Sequence, residues 1–182
     1  MINGFHTVED RNNPDYIELE GPFLCEREDA WLGHGYYFWD TRIELAHHWG
    51  RGVNYKRTGY VICLGLINDD PRILWDLDGR VSHQEEFVQA MDLMIEAGIF
   101  TNSDESKVST IITFLKDQGM LSYYAIRAAD ENRDTHFIRF KTSTEPKQAK
   151  MRLRQRVQIC LLEKNELTLH DFSIVFPEKY LK

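Results

Sequence analysis

The sequence predicts an α+β fold built on a mainly antiparallel β-sheet. Strand-like runs rich in β-branched and aromatic residues occupy both ends of the chain. Two consecutive helical patterns stand between them, at about 82–119. Strands and helices do not alternate in the regular way that βαβ units require. No repeat, low-complexity stretch or interdomain linker interrupts the 182 residues. The chain therefore reads as one domain over 1–182 with a helical insertion at about 82–119.

Each element has a local reason. MINGFHTV, at the N-terminus, reads as a short strand. EDRNNPDYIELEGPF reads as loop, because Asn13-Pro14 and Gly21-Pro22 are breakers. GYYFW, from Gly35 to Trp39, is rich in β-formers. TRIELAHHWG reads as a helix: Thr41 and Glu44 have capping-box spacing, Ile43, Ala46 and Trp49 share a side, and Gly50 or Gly52 stops it. GYVICLGLI, Gly59 to Ile67, is a nearly continuous apolar strand, and PRILWDL is another. The first insertion helix starts at about Ser82, with Glu85 at capping-box spacing, and runs through Phe87, Met91, Met94 and Ile95 to Gly98. The second carries Val108, Ile111, Ile112 and Leu115 and stops near Gly119. LSYYAIRA, THFIRF, RVQICLLE and LTLHDFSIVF complete the sheet.

Bulk properties narrow the class. A chain of this length buries roughly 70% of its unfolded surface, so no covalent staple is needed. The net charge of −7 argues against general coating of nucleic acid. KQAKMRLRQR, Lys147 to Arg156, is a local exception with five basic residues and no acids. No apolar run approaches the ~18 residues of a membrane span. The N-terminal segment has neither the basic nor the apolar region of a signal peptide. Cys25, Cys63 and Cys160 are odd in number and far apart, and the latter two sit in apolar runs as buried thiols. These features predict a cytoplasmic location and no membrane partner. There is no Walker loop, no dinucleotide fingerprint before a long helix and no cysteine pair at zinc spacing. His47 and His48 are adjacent, about 100° apart on a helix, which is awkward for joint ligation. No metal site is expected.

Two segments remain as candidates. His6 lies between Phe5 and Thr7 in the first strand, where the simplest role is a hydrogen-bonded structural histidine. WLGHGYYFWD, Trp31 to Asp40, has five aromatic residues in ten. Gly33 and Gly35 permit close approach of backbone or ligand. Alternation places Tyr37 and Trp39 opposite Tyr36 and Phe38, so one pair packs the core and the other lines a cleft where a flat ring can stack.

Together these segments form a pattern: a His in the first strand, then G-x-G-x-Y-F-x-D, then a helix with a small residue nine positions after the Tyr. It resembles the ADP-ribosyltransferase fold, closest to the His-Tyr-Glu branch of poly(ADP-ribose) polymerases, diphtheria toxin and related bacterial toxins. His6, Gly33, Gly35, Tyr37, Phe38, Asp40 and Ala46 carry the resemblance, which covers about the first 50 residues.

The resemblance implies a split, mainly antiparallel sheet and NAD as a consumed substrate. It implies that His6 hydrogen-bonds the adenosine ribose and that Tyr37, with Tyr36 beside it, meets the nicotinamide. Gly33 and Gly35 belong to the same binding set, and Ala46 packs near the nicotinamide. The family's glycine after the His is here Thr7, whose backbone would have to grip the carboxamide. The third triad member belongs on a late strand, RVQICLLEKNELTL. Position favours Gln158, with Glu163 and Glu166 as the carboxylate alternatives. A carboxylate there stabilises an oxocarbenium-like transition state, whereas Gln orients a hydroxyl and cannot be a base. If Arg152 to Leu162 is one strand, then Arg152, Arg154, Arg156 and Gln158 share a face that would meet the NAD pyrophosphate or a phosphate-bearing target. A solvated basic edge is the other reading of that face.

Two functions follow. One is a mono-ADP-ribosyltransferase-like enzyme that transfers ADP-ribose from NAD to a protein or nucleic-acid acceptor, or hydrolyses NAD; a toxin-like role follows family habit. The alternative is a catalytically inactive nucleotide- or protein-binding module on the same fold, favoured by Thr7 and by the lack of an obvious Glu.

Overall fold

The computed structural model describes residues 1–52, 55–99, 107–130, 136–139 and 150–181. The strands are β1 (Ile2–Glu9), β2 (Tyr36–Asp40), β3 (Tyr60–Ile67), β4 (Leu74–Asp76), β5 (Ala125–Asp130), β6 (His136–Arg139), β7 (Lys150–Leu153), β8 (Arg156–Leu161) and β9 (Leu169–Phe176). The helices are α1 (Pro14–Glu20), α2 (Ile43–Gly50), α3 (Val81–Glu96) and α4 (Val108–Asp117). Seven strands form one sheet in the order β4-β5-β8-β2-β1-β3-β9, and β6 and β7 form a separate antiparallel pair. Every pairing in the large sheet is antiparallel except β4 with β5. The α+β class with a mostly antiparallel sheet is therefore the observed one.

Side-chain alternation sorts the core into two faces. On one face, Phe5, Trp39 and Ile62 pack against Leu45 and Ala46 of α2. Further along it, Ile126, Ala128 and Cys160 pack against Met94 of α3 and Ile111, Ile112 and Leu115 of α4. Each of those three α4 side chains contributes about 1.5–3 kcal/mol by leaving water. On the other face Phe38, Ile67, Leu74, Ile159 and Leu161 form a second cluster, and Ile17 of α1 covers Val61, Cys63 and Ile174. Cys63 and Cys160 are buried free thiols, both pushed up to about 12 by burial.

The structure corrects several local expectations. Residues 14–20 form α1 rather than loop: Pro14 occupies the first turn, where its fixed φ favours a helix, and Ile17 anchors it in the core. Neither expected capping box forms. Thr41 takes a φ of 57° and donates its hydroxyl to Asp40 Oδ1 (2.6 Å), leaving Arg42 at the cap position of α2. α3 begins at Val81, so Ser82 lies inside it. Arg152 to Leu162 is not one strand. Arg154 has a φ of 54°, and Arg42 Nη1 donates to the carbonyls of Arg154 (2.8 Å) and Gln155 (3.3 Å) across the break. Arg152 and Arg154 are exposed and belong to the β6–β7 side of it, and only Arg156 continues on the face of Gln158. Lys147, Thr135 and Phe140 lie outside the described residues. No described helix is long and apolar enough to cross a membrane.

Candidate functional site

β1 pairs with β3 along all eight of its residues, but with β2 only through Gly4↔Asp40 and Phe5↔Trp39. Past Phe5 the two strands part, and the His6 imidazole spans the gap. Its Nδ1 lies 2.8 Å from the Tyr37 carbonyl oxygen and its Nε2 lies 3.3 Å from the Phe23 amide nitrogen. A carbonyl only accepts and an amide N–H only donates, so Nδ1 carries the proton and Nε2 is the acceptor. Burial pulls the His6 pKa down to about 4, against the upward pull of the Tyr37 carbonyl. His6 is thus neutral, with both ring nitrogens spent on backbone. The resemblance implies a ribose ligand at this position; here neither nitrogen is open to one, and the ring instead holds Phe23 over the split.

A cleft of about 530 Å³ opens at this split. Trp39, Arg156 and Gln158 form its sheet side, Tyr37 and Trp31 stand on the insertion side, and Trp49 of α2 stands opposite. The segment from Phe23 to Ala30 runs along its rim, where Arg27 lies 6.0 Å from the Trp49 ring centroid. His6, Thr7, Tyr37, Arg156 and Gln158, all expected from the sequence, line this one cleft.

Tyr37 is fixed at both ends. Its hydroxyl donates to the Gly33 carbonyl (2.8 Å) and accepts from the Leu32 amide (3.0 Å), and burial pushes its phenol above the ordinary range. It serves as a rigid wall, not a proton carrier. Thr7 donates its hydroxyl to the Ala46 carbonyl (3.1 Å), tying β1 to α2.

Gly33, Gly35, Tyr36 and Ala46 support the cleft without lining it. Gly33 has a φ of 84°, and its carbonyl holds Tyr37. Gly35 exchanges backbone hydrogen bonds with Cys25 (2.8 and 3.2 Å). A Cβ on Gly35 would stand 2.4 Å from Cys160 Sγ and 2.5 Å from the Leu161 oxygen. Tyr36 points to the other face, under Lys164, and Ala46 is fully buried in α2.

Gln158 lies in the cleft, and its Oε1 accepts the Trp31 indole N–H at 2.7 Å. Glu163 and Glu166 do not reach it. They sit exposed on the turn between β8 and β9, where Glu163 accepts from Asn165 Nδ2 (3.3 Å). The Tyr36↔Leu161 pair already marks the start of β2, so this turn lies beyond the strand end that frames the cleft. The cleft's carboxylates come from elsewhere. Asp130 ends β5 opposite Arg156, with its Oδ2 3.9 Å from Arg156 Nε, and Glu26 and Asp29 stand on the rim. Asp29 is held low by its hydrogen bonds to Arg27 (2.8 and 2.7 Å).

Arg156 packs its guanidinium 5.5 Å from the Trp39 ring centroid, and its buried Nε has no hydrogen-bond partner. A largely desolvated guanidinium, countered among the described residues only by Asp130 at 3.9 Å, suits a phosphate or carboxylate. Sequence reasoning missed Asp130, Arg27, Tyr55 and the role of Trp49. Only the tryptophans carried a signal, since three of the four in the chain line this cleft.

The motif residue Asp40 has another task. Arg127 donates to Asp40 (2.7 Å), Asp76 (2.8 Å) and Asp78 (3.2 Å) beside a separate polar cavity. Asp76 stays low against the upward push of burial, through the Gly79 amide and Arg127. His47 is engaged with the Tyr60 hydroxyl (3.0 Å), and no group of His, Cys, Asp and Glu among the described residues is placed to hold a metal ion.

Comparison with known proteins gives no match: no family model, curated protein or solved structure matches the chain.

Proposed function

We propose that this cleft takes NAD, and that the chain is an ADP-ribosyltransferase-like protein that transfers ADP-ribose to a macromolecular acceptor or hydrolyses NAD. One observation carries the reading. Residues expected from three distant segments, His6 and Thr7, Tyr37, and Arg156 with Gln158, converge on one cleft of about 530 Å³ where β1 and β2 part. The lining suits the ligand chemically. Tyr37 and Trp49 offer faces for planar rings. Arg156 brings a cationic guanidinium to the cleft wall, a suitable partner for a pyrophosphate. Gln158 lines the cleft with a carboxamide able to orient a ribose hydroxyl. In the reaction the glycosidic C–N bond breaks, nicotinamide leaves with its electron pair, and an acceptor hydroxyl or water bonds to the ribose carbon while losing its proton. Asp130, one strand over from Arg156, is the carboxylate that the sheet itself brings to the cleft.

A second reading is a nucleotide-binding module without turnover. It is favoured by the position of Glu163 and Glu166 outside the cleft and by the occupied nitrogens of His6. The test is nicotinamide release from NAD by the purified protein, alone and with cell lysate, beside Tyr37→Ala and Arg156→Gln. Release abolished by both substitutions supports the enzyme, and dependence on lysate indicates transfer to a target. Micromolar NAD binding without release supports the module. Neither release nor binding overturns both readings.

A further inference from the structure

We infer that Trp31 acts on the ligand through Gln158: its indole locks the Gln158 amide as a hydrogen-bond donor, so that β8 selects its ligand by an anionic, acceptor-rich group such as a phosphorylated ribose. The inference rests on the nucleotide reading above and deepens it.

The argument begins with a forced orientation. A carboxamide can be turned either way, but an indole N–H only donates. With Trp31 Nε1 2.7 Å from the Gln158 side chain, the amide oxygen must face Trp31. The NH₂ group is then the end left for the cleft, and it has no hydrogen-bond partner among the described residues. Two residues earlier on the same face is Arg156, whose buried Nε makes no hydrogen bond and has Asp130 Oδ2 3.9 Å away. Successive same-face positions on a strand lie about 7 Å apart. The floor of the cleft therefore presents two donors in a row, one cationic and one neutral. A phosphate on Arg156 and a sugar oxygen on Gln158 satisfy both. A carboxylate in place of the Gln158 amide would reverse the polarity of this position. Trp31 is the residue that keeps it a donor, since without the indole the amide is free to turn its oxygen into the cleft. Trp31 is a positioning residue in this account, because its only polar atom is spent on Gln158.

A double-mutant cycle tests this, with NAD titrated calorimetrically into wild type, Trp31→Phe, Gln158→Ala and the double variant. Phe keeps an apolar wall and removes the N–H. Trp31→Phe is expected to weaken binding roughly 2- to 10-fold in the wild-type background, the value of one hydrogen bond, and by less than about twofold beside Gln158→Ala. Equal losses in both backgrounds, or no loss in either, overturn the inference and leave Trp31 as a wall. A second readout does not depend on NAD. The Trp31 indole proton should exchange slowly with solvent in wild type and quickly in Gln158→Ala; fast exchange in wild type overturns the hydrogen bond itself. If wild type binds neither NAD nor ADP-ribose, the nucleotide reading falls and takes the ligand role with it, while the proton exchange still decides whether Trp31 holds Gln158.

Discussion

Acid should unlock the fold at His6. In the folded chain this imidazole has a pKa of about 4, below its ordinary value of about 6.5, because it is buried and its Nε2 must accept the Phe23 amide. Protonation would charge a buried ring and set a donor against a donor. Between those two pKa values the unfolded chain binds a proton that the folded chain refuses. The stabilising effect is therefore complete above about pH 6.5 and is lost progressively as pH falls to about 4. At 1.36 kcal/mol per pH unit, the difference between 6.5 and about 4 corresponds to about 3 kcal/mol. That is a large share of the roughly 5–15 kcal/mol typical of a folded domain. The assay is urea unfolding from pH 7 to about 4.5, on wild type and on His6→Gln. The variant starts less stable but should show a flatter pH slope. Asp10, Asp70 and His47 also carry lowered pKa values, yet they titrate in both proteins, so the difference between the slopes isolates His6. Parallel slopes, or a His6 resonance in the folded protein titrating near 6.5, would refute the reasoning. The same protonation should loosen Phe23 and weaken nucleotide binding over the same range.

Three further outcomes are expected. Gln158→Glu places a carboxylate where Trp31 already holds one oxygen; NAD binding should weaken, but nicotinamide release at saturating NAD should rise about tenfold or more, since one well-aimed electrostatic group is worth ~100-fold. Unchanged release would mean that the bond-breaking carbon lies elsewhere. Arg127→Met strips the common partner from Asp40, Asp76 and Asp78, each side chain less than a fifth exposed, and should cost about 3–5 kcal/mol in chemical unfolding. A loss under ~1 kcal/mol would show these carboxylates to be solvated. Gly35→Ala drives a Cβ into Cys160 Sγ and the Leu161 carbonyl, and should cost about 1–3 kcal/mol or more. An unchanged melting temperature would contradict that contact.

What could be read from sequence was whatever depended on local periodicity. The apolar run of β3 and the Ile111, Ile112, Leu115 face of α4 fell where their patterns placed them. α1 escaped because Pro14 was weighed as a breaker rather than a helix start. The break at Arg154 escaped because a left-handed residue between two β-forming runs leaves no periodic trace. At the site, the closeness of His6 and Tyr37 was legible, as neighbouring strands carry both. Its chemistry was not, because the partner of His6 Nε2 is a backbone amide 17 residues away. Register decided the rest. The pair Trp39↔Gln158 sets Gln158 on the cleft floor. It also carries Glu163, two residues past the end of β8, out to the turn beyond the cleft. Asp130 and Trp31 met Arg156 and Gln158 through pairings that no spacing in the sequence announces.

The most direct measurement follows the four tryptophans. Trp31, Trp39 and Trp49 line the cleft, while Trp75 lies in the core beneath α3, its indole N–H on the His83 carbonyl. A ¹⁵N-labelled sample therefore carries three indole reporters of the site and one internal control. Titrated with NAD, the Trp31, Trp39 and Trp49 signals should shift together and saturate at micromolar concentration, with Trp75 unmoved. No shift up to millimolar NAD, or a shift confined to Trp75, would contradict the claim that this cleft is a nucleotide site.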